Sequence, residues 1–266
     1  MSTPPAQNPQ LLAMEISAND ESEYRLLIDG RIRYLSVAAR TLDIDTLRFL
    51  PDLLEALPPL HSPKDWTVAY ITRDPNTSEL KVVFSEEQLT GVQNIWHPQI
   101  IDCLRLKRVK QLTPAVFEAS LTTLDSSPPP IFIAKIARWE WEIPRIERET
   151  QVYYVLQGTG MAPRFLGHIA EHGRVIGVLL EKVERVREAG IEDLASCEEA
   201  VERLHTLGFV HGDLNRFNFL VGKDSIKLID FENSNPEADR DDMRWESEGL
   251  AAQLQENTGR GGGFRI

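Results

Sequence analysis

Three oxygen-bearing side chains in one short stretch carry the chemistry this sequence could do. In HGDLNRFNFLVGKDSIKLIDFE, residues 211–232, Asp213 and Asn218 come just before the apolar run Phe219, Leu220 and Val221, and Asp230 closes a second run at Ile226, Leu228 and Ile229. Gly222, Lys223 and Asp224 make the turn that joins the two runs as a hairpin. Two carboxylates and an amide therefore reach neighbouring strand ends. A hard cation such as Mg²⁺ takes oxygen ligands in a strict geometry, so this layout suits a divalent cation and a phosphate held beside it.

The spacing is also that of a kinase catalytic core: a histidine, an aspartate two residues on, an asparagine five beyond it, and Asp-Phe after a short hairpin. The stretch resembles the protein-kinase-like superfamily, and its His-Gly-Asp form is closer to aminoglycoside and small-molecule phosphotransferases than to the His-Arg-Asp of ordinary protein kinases. The runs HTLGFVHGDLNRFNFLV and KLIDFE, with RFLGHIAEHGRVIGVLLEKV upstream, are similar to a family of fungal kinase-like proteins often labelled α-galactosidase A. That resemblance implies ATP and Mg²⁺ as cofactors. It implies Asp230 as a metal ligand bridging the phosphates, Asn218 as ligand to a second metal, and Asp213 as acceptor of the attacking hydroxyl's proton. By the same resemblance His211 braces the loop and Arg216 is a counter-charge for the γ-phosphate.

The elements that must position these groups come earlier in the chain. Lys135 stands in the strand-like run IFIAKIA, where the resembling pattern Val-Ala-Ile-Lys places the lysine that grips the α- and β-phosphates. The alternative is a lysine whose stem snorkels at a sheet edge. Residues 144–157 read as a helix, with Pro144 suited to its first position and Gly158 to its stop. Ile146, Glu149, Tyr153 and Leu156 recur at spacings of three and four, so Glu149 is the acid on the inward stripe and the candidate ion-pair partner of Lys135, while Glu147 points elsewhere. Both acids could instead be solvated, as helix charges usually are. A hairpin turning at His172 and Gly173 leads to Glu181, Lys182 and Val183, which in the resembling kinases would be the hinge that reads adenine through backbone groups. Residues 189–207 read as an amphipathic helix with Leu194, Cys197, Val201 and Leu204 on one face. A last helix is expected from a cap at Asn235 to about 257, followed by a glycine-rich tail.

The fold class that follows is α+β: a bilobal protein-kinase-like fold with a β-rich N-terminal accessory region and a shortened C-terminal lobe. Residues 1–20 read as a disordered arm and 21–97 as the accessory region, with hairpin strands about Asp29-Gly30, a short helix over 51–57 and a second strand pair at WTVAYITRD and LKVVFS. Residues 98–183 form the smaller kinase-like lobe and 184–266 the larger. His61 and His97 stand alone and suggest no site. With 266 residues and 42% hydrophobic content the chain can bury a substantial core. A net charge of −12 argues against a nucleic-acid partner and fits either plain solubility or attraction of cationic substrates. Cys103 and Cys197, with no metal spacing about them, fit a reducing compartment. No run of membrane-spanning length and no basic-then-apolar leader occurs, so a soluble cytoplasmic protein without membrane partners is expected.

Three departures bear on turnover. The loop around 111–117 has no glycine to let backbone amides approach phosphates, Glu232 stands where Asp-Phe-Gly has glycine, and no Ala-Pro-Glu element follows. The readings are thus an ATP- and Mg²⁺-dependent phosphotransferase acting on a small-molecule or protein acceptor, or a pseudokinase that binds nucleotide or a partner protein without turnover. A glycoside hydrolase, the class suggested by the label, needs two carboxylates facing a sugar, and the sequence singles out no such pair.

Overall fold

A computed structural model describes residues 9–60, 65–122, 128–223 and 225–256. His61, Asp224 and the glycine-rich tail lie outside the described residues. The chain divides into two compact units, one ending at Leu89 and the other beginning at Thr90.

The first unit is a five-stranded sheet in the order β1-β2-β3-β4-β5, with β1 at Gln10–Glu15, β2 at Ser22–Ile28 and β3 at Arg31–Val37. Two short helices follow, α1 at Ile44–Arg48 and α2 at Leu50–Ala56, then β4 at Val68–Arg73 and β5 at Leu80–Ser85. Asp29 and Gly30 both take positive φ, as the two-residue turn between β2 and β3 requires. Tyr24, Leu26, Leu35, Leu53 and Ile71 are fully buried against one another, so this unit has a core of its own. The arm expected to be disordered is not so over 10–15: β1 pairs antiparallel with β2, and that edge ladder supplies the backbone partners a polar segment lacks alone.

The second unit begins with a six-stranded sheet built from β6 (Ile100–Asp102), β7 (Leu106–Gln111), β8 (Val116–Leu121), β9 (Phe132–Ile136), β10 (Phe165–Glu171) and β11 (Arg174–Glu181), with helix α3 at Ile143–Val155. Its strand order is β6-β10-β11-β9-β8-β7. After it come β12 (Arg187–Glu188), helix α4 (Leu194–Thr206), β13 (Phe219–Val221), β14 (Ile226–Leu228) and helix α5 (Arg240–Gln255). This is an α+β arrangement, with the six-stranded sheet in its first part and the three-stranded sheet β12-β13-β14 with α4 and α5 in its second. One apolar core runs through it, from Ile101 and Val178 to Leu204, Phe219 and Leu250.

Boundaries moved where tertiary bonds claimed the backbone. The division falls at 89/90, because Val92 N–H donates to Val175 O and the Gln93 and Asn94 amides donate to Glu147, all within the second unit. Helix α4 starts at Leu194 and not at Ala189, since the Ala189 amide donates to Arg216 O and a separate helical turn occupies Ile191–Asp193. Helix α5 is capped by Asp239, whose carboxylate accepts from the Asp241 and Asp242 amides, not by Asn235. Asn235 instead exchanges backbone bonds with Val210, which holds the chain extended there before a helix can begin.

Candidate functional site

Short-range bonds assemble the stretch from His211 to Glu232. Asn215 caps a single helical turn at Arg216–Asn218 by accepting from Phe217 N–H, 2.9 Å. Asn218 Nδ2 donates to the Asp213 carbonyl at 2.8 Å, so the amide nitrogen is fixed and Oδ1 is the end that could take a cation. The β13–β14 hairpin pairs Phe219 with Leu228, and Ile229 N–H donates to Asn218 O at 3.1 Å. Asp230 is thereby set beside Asn218. Its own backbone is left-handed (φ 67°, ψ 62°), a conformation that aspartate tolerates and that turns the chain into the 231–233 helical turn.

His211 is fully buried in this frame. Its Nε2 donates to Ile229 O at 2.9 Å, its ring lies 5.2 Å from Phe231, and burial holds its pKa below the ordinary imidazole value. The ring is thus neutral and tied down, an arrangement suited to bracing.

Strand β9 places Lys135 opposite Val178 of β11, and the close approach requires Gly177, where a Cβ would overlap Lys135 O. Lys135 Nζ stands 2.6 Å from Glu149 Oε2, 2.5 Å from Asp230 Oδ1 and 2.9 Å from Glu232 Oε2. Glu149 is the inward acid of α3, 1% exposed, while Glu147 is turned to the Gln93 and Asn94 amides. Burial opposes the charge of Lys135, yet the Glu149, Asp230 and Glu232 carboxylates overcome it and hold the amine above the usual lysine range. Burial pushes Glu149 up to about 7, against the pull of Lys135. One ammonium among three carboxylates leaves an excess of negative charge, a ready place for a further cation.

Lys135, Glu149, Asn218 and Asp230 line one end of a cleft of about 640 Å³ within the second unit, a size suited to a small-molecule ligand. Its walls are apolar, among them Val116 and Leu180 on the sheet side and Leu220 and Ile229 on the other. Glu181 and Val183 border it as well. Val183 has no backbone–backbone hydrogen bond among the described residues, so its N–H and C=O are open to a ligand. Thr113, in the glycine-free β7–β8 turn, also lines the cleft, but the turn bonds to itself: the Leu112 and Thr113 amides donate to Val116 O, and Val116 N–H to Thr113 O.

Two expected residues are placed differently. Asp213 belongs to the group through its main chain, bonded by Asn218, and is not among the residues lining the cleft. Arg216 does not face it as a counter-charge. β12 pairs with β13 and brings Glu188 to Arg216 Nη2 at 3.2 Å, so the guanidinium is engaged there. Two residues gained importance. Glu232 is the third acid on Lys135, with Arg148 donating to its carbonyl at 2.7 Å; its place in the Asp-Phe-Glu triplet had signalled a charge near the metal position but not this contact. Glu246 of α5 accepts from the His211 and Gly212 amides at 3.0 and 2.7 Å and from His205 at 2.8 Å. Nothing in the sequence separates it from the other acids of that helix.

A family model described as RIO1, RIO domain, matches residues 173–243, the span from the β10–β11 turn through the catalytic stretch to the start of α5. The match covers about a quarter of the chain. Among solved structures the chain is similar to the kinase PK-1 of Cydia pomonella granulovirus, at 13% identity and a TM-score of 0.43, with 57% of this chain and 71% of that chain covered. No curated protein matches the sequence. Among the described residues, no helix is long and apolar enough to cross a membrane.

Proposed function

We propose that this protein is a cytoplasmic, ATP- and Mg²⁺-dependent phosphotransferase of atypical-kinase type, acting on a hydroxyl of a small molecule or protein. The observation that carries the reading is the Lys135–Glu149–Asp230 cluster in a largely apolar cleft. Phosphoryl transfer needs alignment and charge neutralisation more than a protein nucleophile, and this cleft supplies both. Val183 offers backbone groups to adenine, and the apolar walls take the ring. Lys135, steadied by Glu149, holds the α- and β-phosphates. Asp230 and Asn218 Oδ1 would hold Mg²⁺, which when bound neutralises phosphate charge. Asp213 takes the proton of the attacking hydroxyl, and His211 keeps its loop in place. Incubation with γ-labelled ATP, Mg²⁺ and candidate acceptors tests this: Asp213→Ala is expected to lower turnover by about 10²-fold or more, as loss of a general base does, and undiminished turnover contradicts the assignment.

The glycine-free turn with satisfied amides and the Glu232 contact to Lys135 favour one second reading, a pseudokinase that binds nucleotide without turnover. Nucleotide-induced stabilisation with no labelled product from any acceptor would select it. The acids that converge here do so on an ammonium, an arrangement that gives glycoside hydrolysis no support.

A further inference from the structure

A second cavity of about 460 Å³ lies in the same unit, with only Pro163 and Glu181 shared between its lining and that of the cleft. Its wall is aromatic: Trp96 and Phe165 have ring centroids 4.4 Å apart, and His97 and Tyr153 lie 5.5 and 5.7 Å from Phe165. Trp96 is held by bonds from its Nε1 to the Thr150 carbonyl and hydroxyl at 2.9 and 3.0 Å, so the wall is fixed.

The lining also holds two cations, Arg164 and Lys227, in a chain whose net charge is −12, and a third, Arg203, reaches the adjoining turn. Arg164 is exposed and has no side-chain partner among the described residues, and Lys227 Nζ meets only the carbonyls of Gly160 and Ala162. Arg203 Nη2 donates to Thr159 O, in the turn that also borders the cavity. No side chain of the three meets a carboxylate among the described residues, although the Arg164 amide N–H donates to Oε2 of Glu181, the one acid lining the cavity, at 3.3 Å. Aromatic faces beside a guanidinium and an ammonium that make no ion pair among the described residues suit a planar ring that bears a carboxylate, which Arg164 can bind with two parallel hydrogen bonds.

We propose that this cavity binds a small aromatic carboxylate, at a site separate from the nucleotide cleft. The site has a route to the cleft. Tyr153 forms part of its wall and packs edge-on against Phe231 at 5.4 Å, between Asp230 and Glu232, and it lies one turn from Glu149 on α3.

Ligand-observed NMR and calorimetric titration on the full chain, with indole-3-acetate as probe and neutral indole as control, test the proposal. Indole-3-acetate is expected to bind saturably, with a Kd on the order of 1 mM or below, and saturating ATP with Mg²⁺ does not displace it. Arg164→Ala weakens it about fivefold or more, as loss of a charge-assisted pair does, while leaving indole unchanged. Gln157→Trp, at an exposed lining position, blocks both ligands. Absence of saturable binding, equal affinity in Arg164→Ala, or displacement by ATP overturns the proposal. These outcomes are independent of whether the cleft turns over ATP.

Discussion

At the scale of single residues, the site is a contest for one ammonium. Lys135 is surrounded by Glu149, Asp230 and Glu232, and phosphates entering the cleft must compete with those carboxylates. Glu232 is the acid added where a glycine is usual, so Glu232→Gln is expected to tighten ATP binding about fivefold, since one like charge at this range is worth about 1 kcal/mol. Titration calorimetry checks it, and equal or weaker binding counts against the competition. The pairing of Lys135 with Glu149 was legible because helical register alone put that acid on the buried stripe. The Glu232 contact was not, because a triplet in sequence does not say where a side chain turns after a left-handed aspartate. Away from the site, His168 is fully buried, accepts from His97 N–H at 3.3 Å, and has its pKa lowered to about 4 by burial and then by His97. The unfolded chain takes up that proton near the ordinary value of 6.5. The neutral ring's contribution is whole above that pH and is lost as pH falls towards 4, so wild type should lose about 2 kcal/mol more than His168→Gln between pH 7 and 4.5. Urea unfolding at both pH values measures the difference; identical losses refute it.

At the scale of elements, the loop that begins at His211 is held from outside as much as by its own sequence. Glu246 of α5 binds the two amides at its start, and Gly212, with φ +80°, lies where a Cβ would collide with Asn233 O. Glu246→Ala leaves those amides without their acceptor and should cost about 2–3 kcal/mol in unfolding free energy, with weaker nucleotide binding. Gly212→Ala combines strain with collision and should cost at least as much. Chemical denaturation reads both, and losses under about 0.5 kcal/mol would mean the loop has no need of α5. The hairpins at Asp29-Gly30, His172-Gly173 and Gly222 were legible since turn chemistry is local. The starts of α4 and α5 were not, because distant segments claimed the backbone first: Arg216 O bonded by the Ala189 amide, and Val210 opposite Asn235.

At the scale of the whole molecule, two separate cores account for two units that divide at 89/90, where strand runs alone led the sequence to a boundary at 97/98. What it could not show is that residues 90–97 bond back to β11 and α3. A fragment starting at Thr90 is expected to unfold cooperatively and keep nucleotide binding, while one starting at Pro98 loses stability; circular dichroism and thermal melts distinguish them, and a molten Thr90 fragment contradicts two self-sufficient cores. The central claim is that the cleft is a Mg²⁺-nucleotide site anchored by Lys135 and Asp230. Its most direct test is the thermal shift with ATP and Mg²⁺ on wild type and Asp230→Ala. At about 100 Kd of ligand the account predicts a rise of about 5–10 °C for wild type and little or none for the variant. No shift in wild type, or the same shift in both proteins, would contradict it.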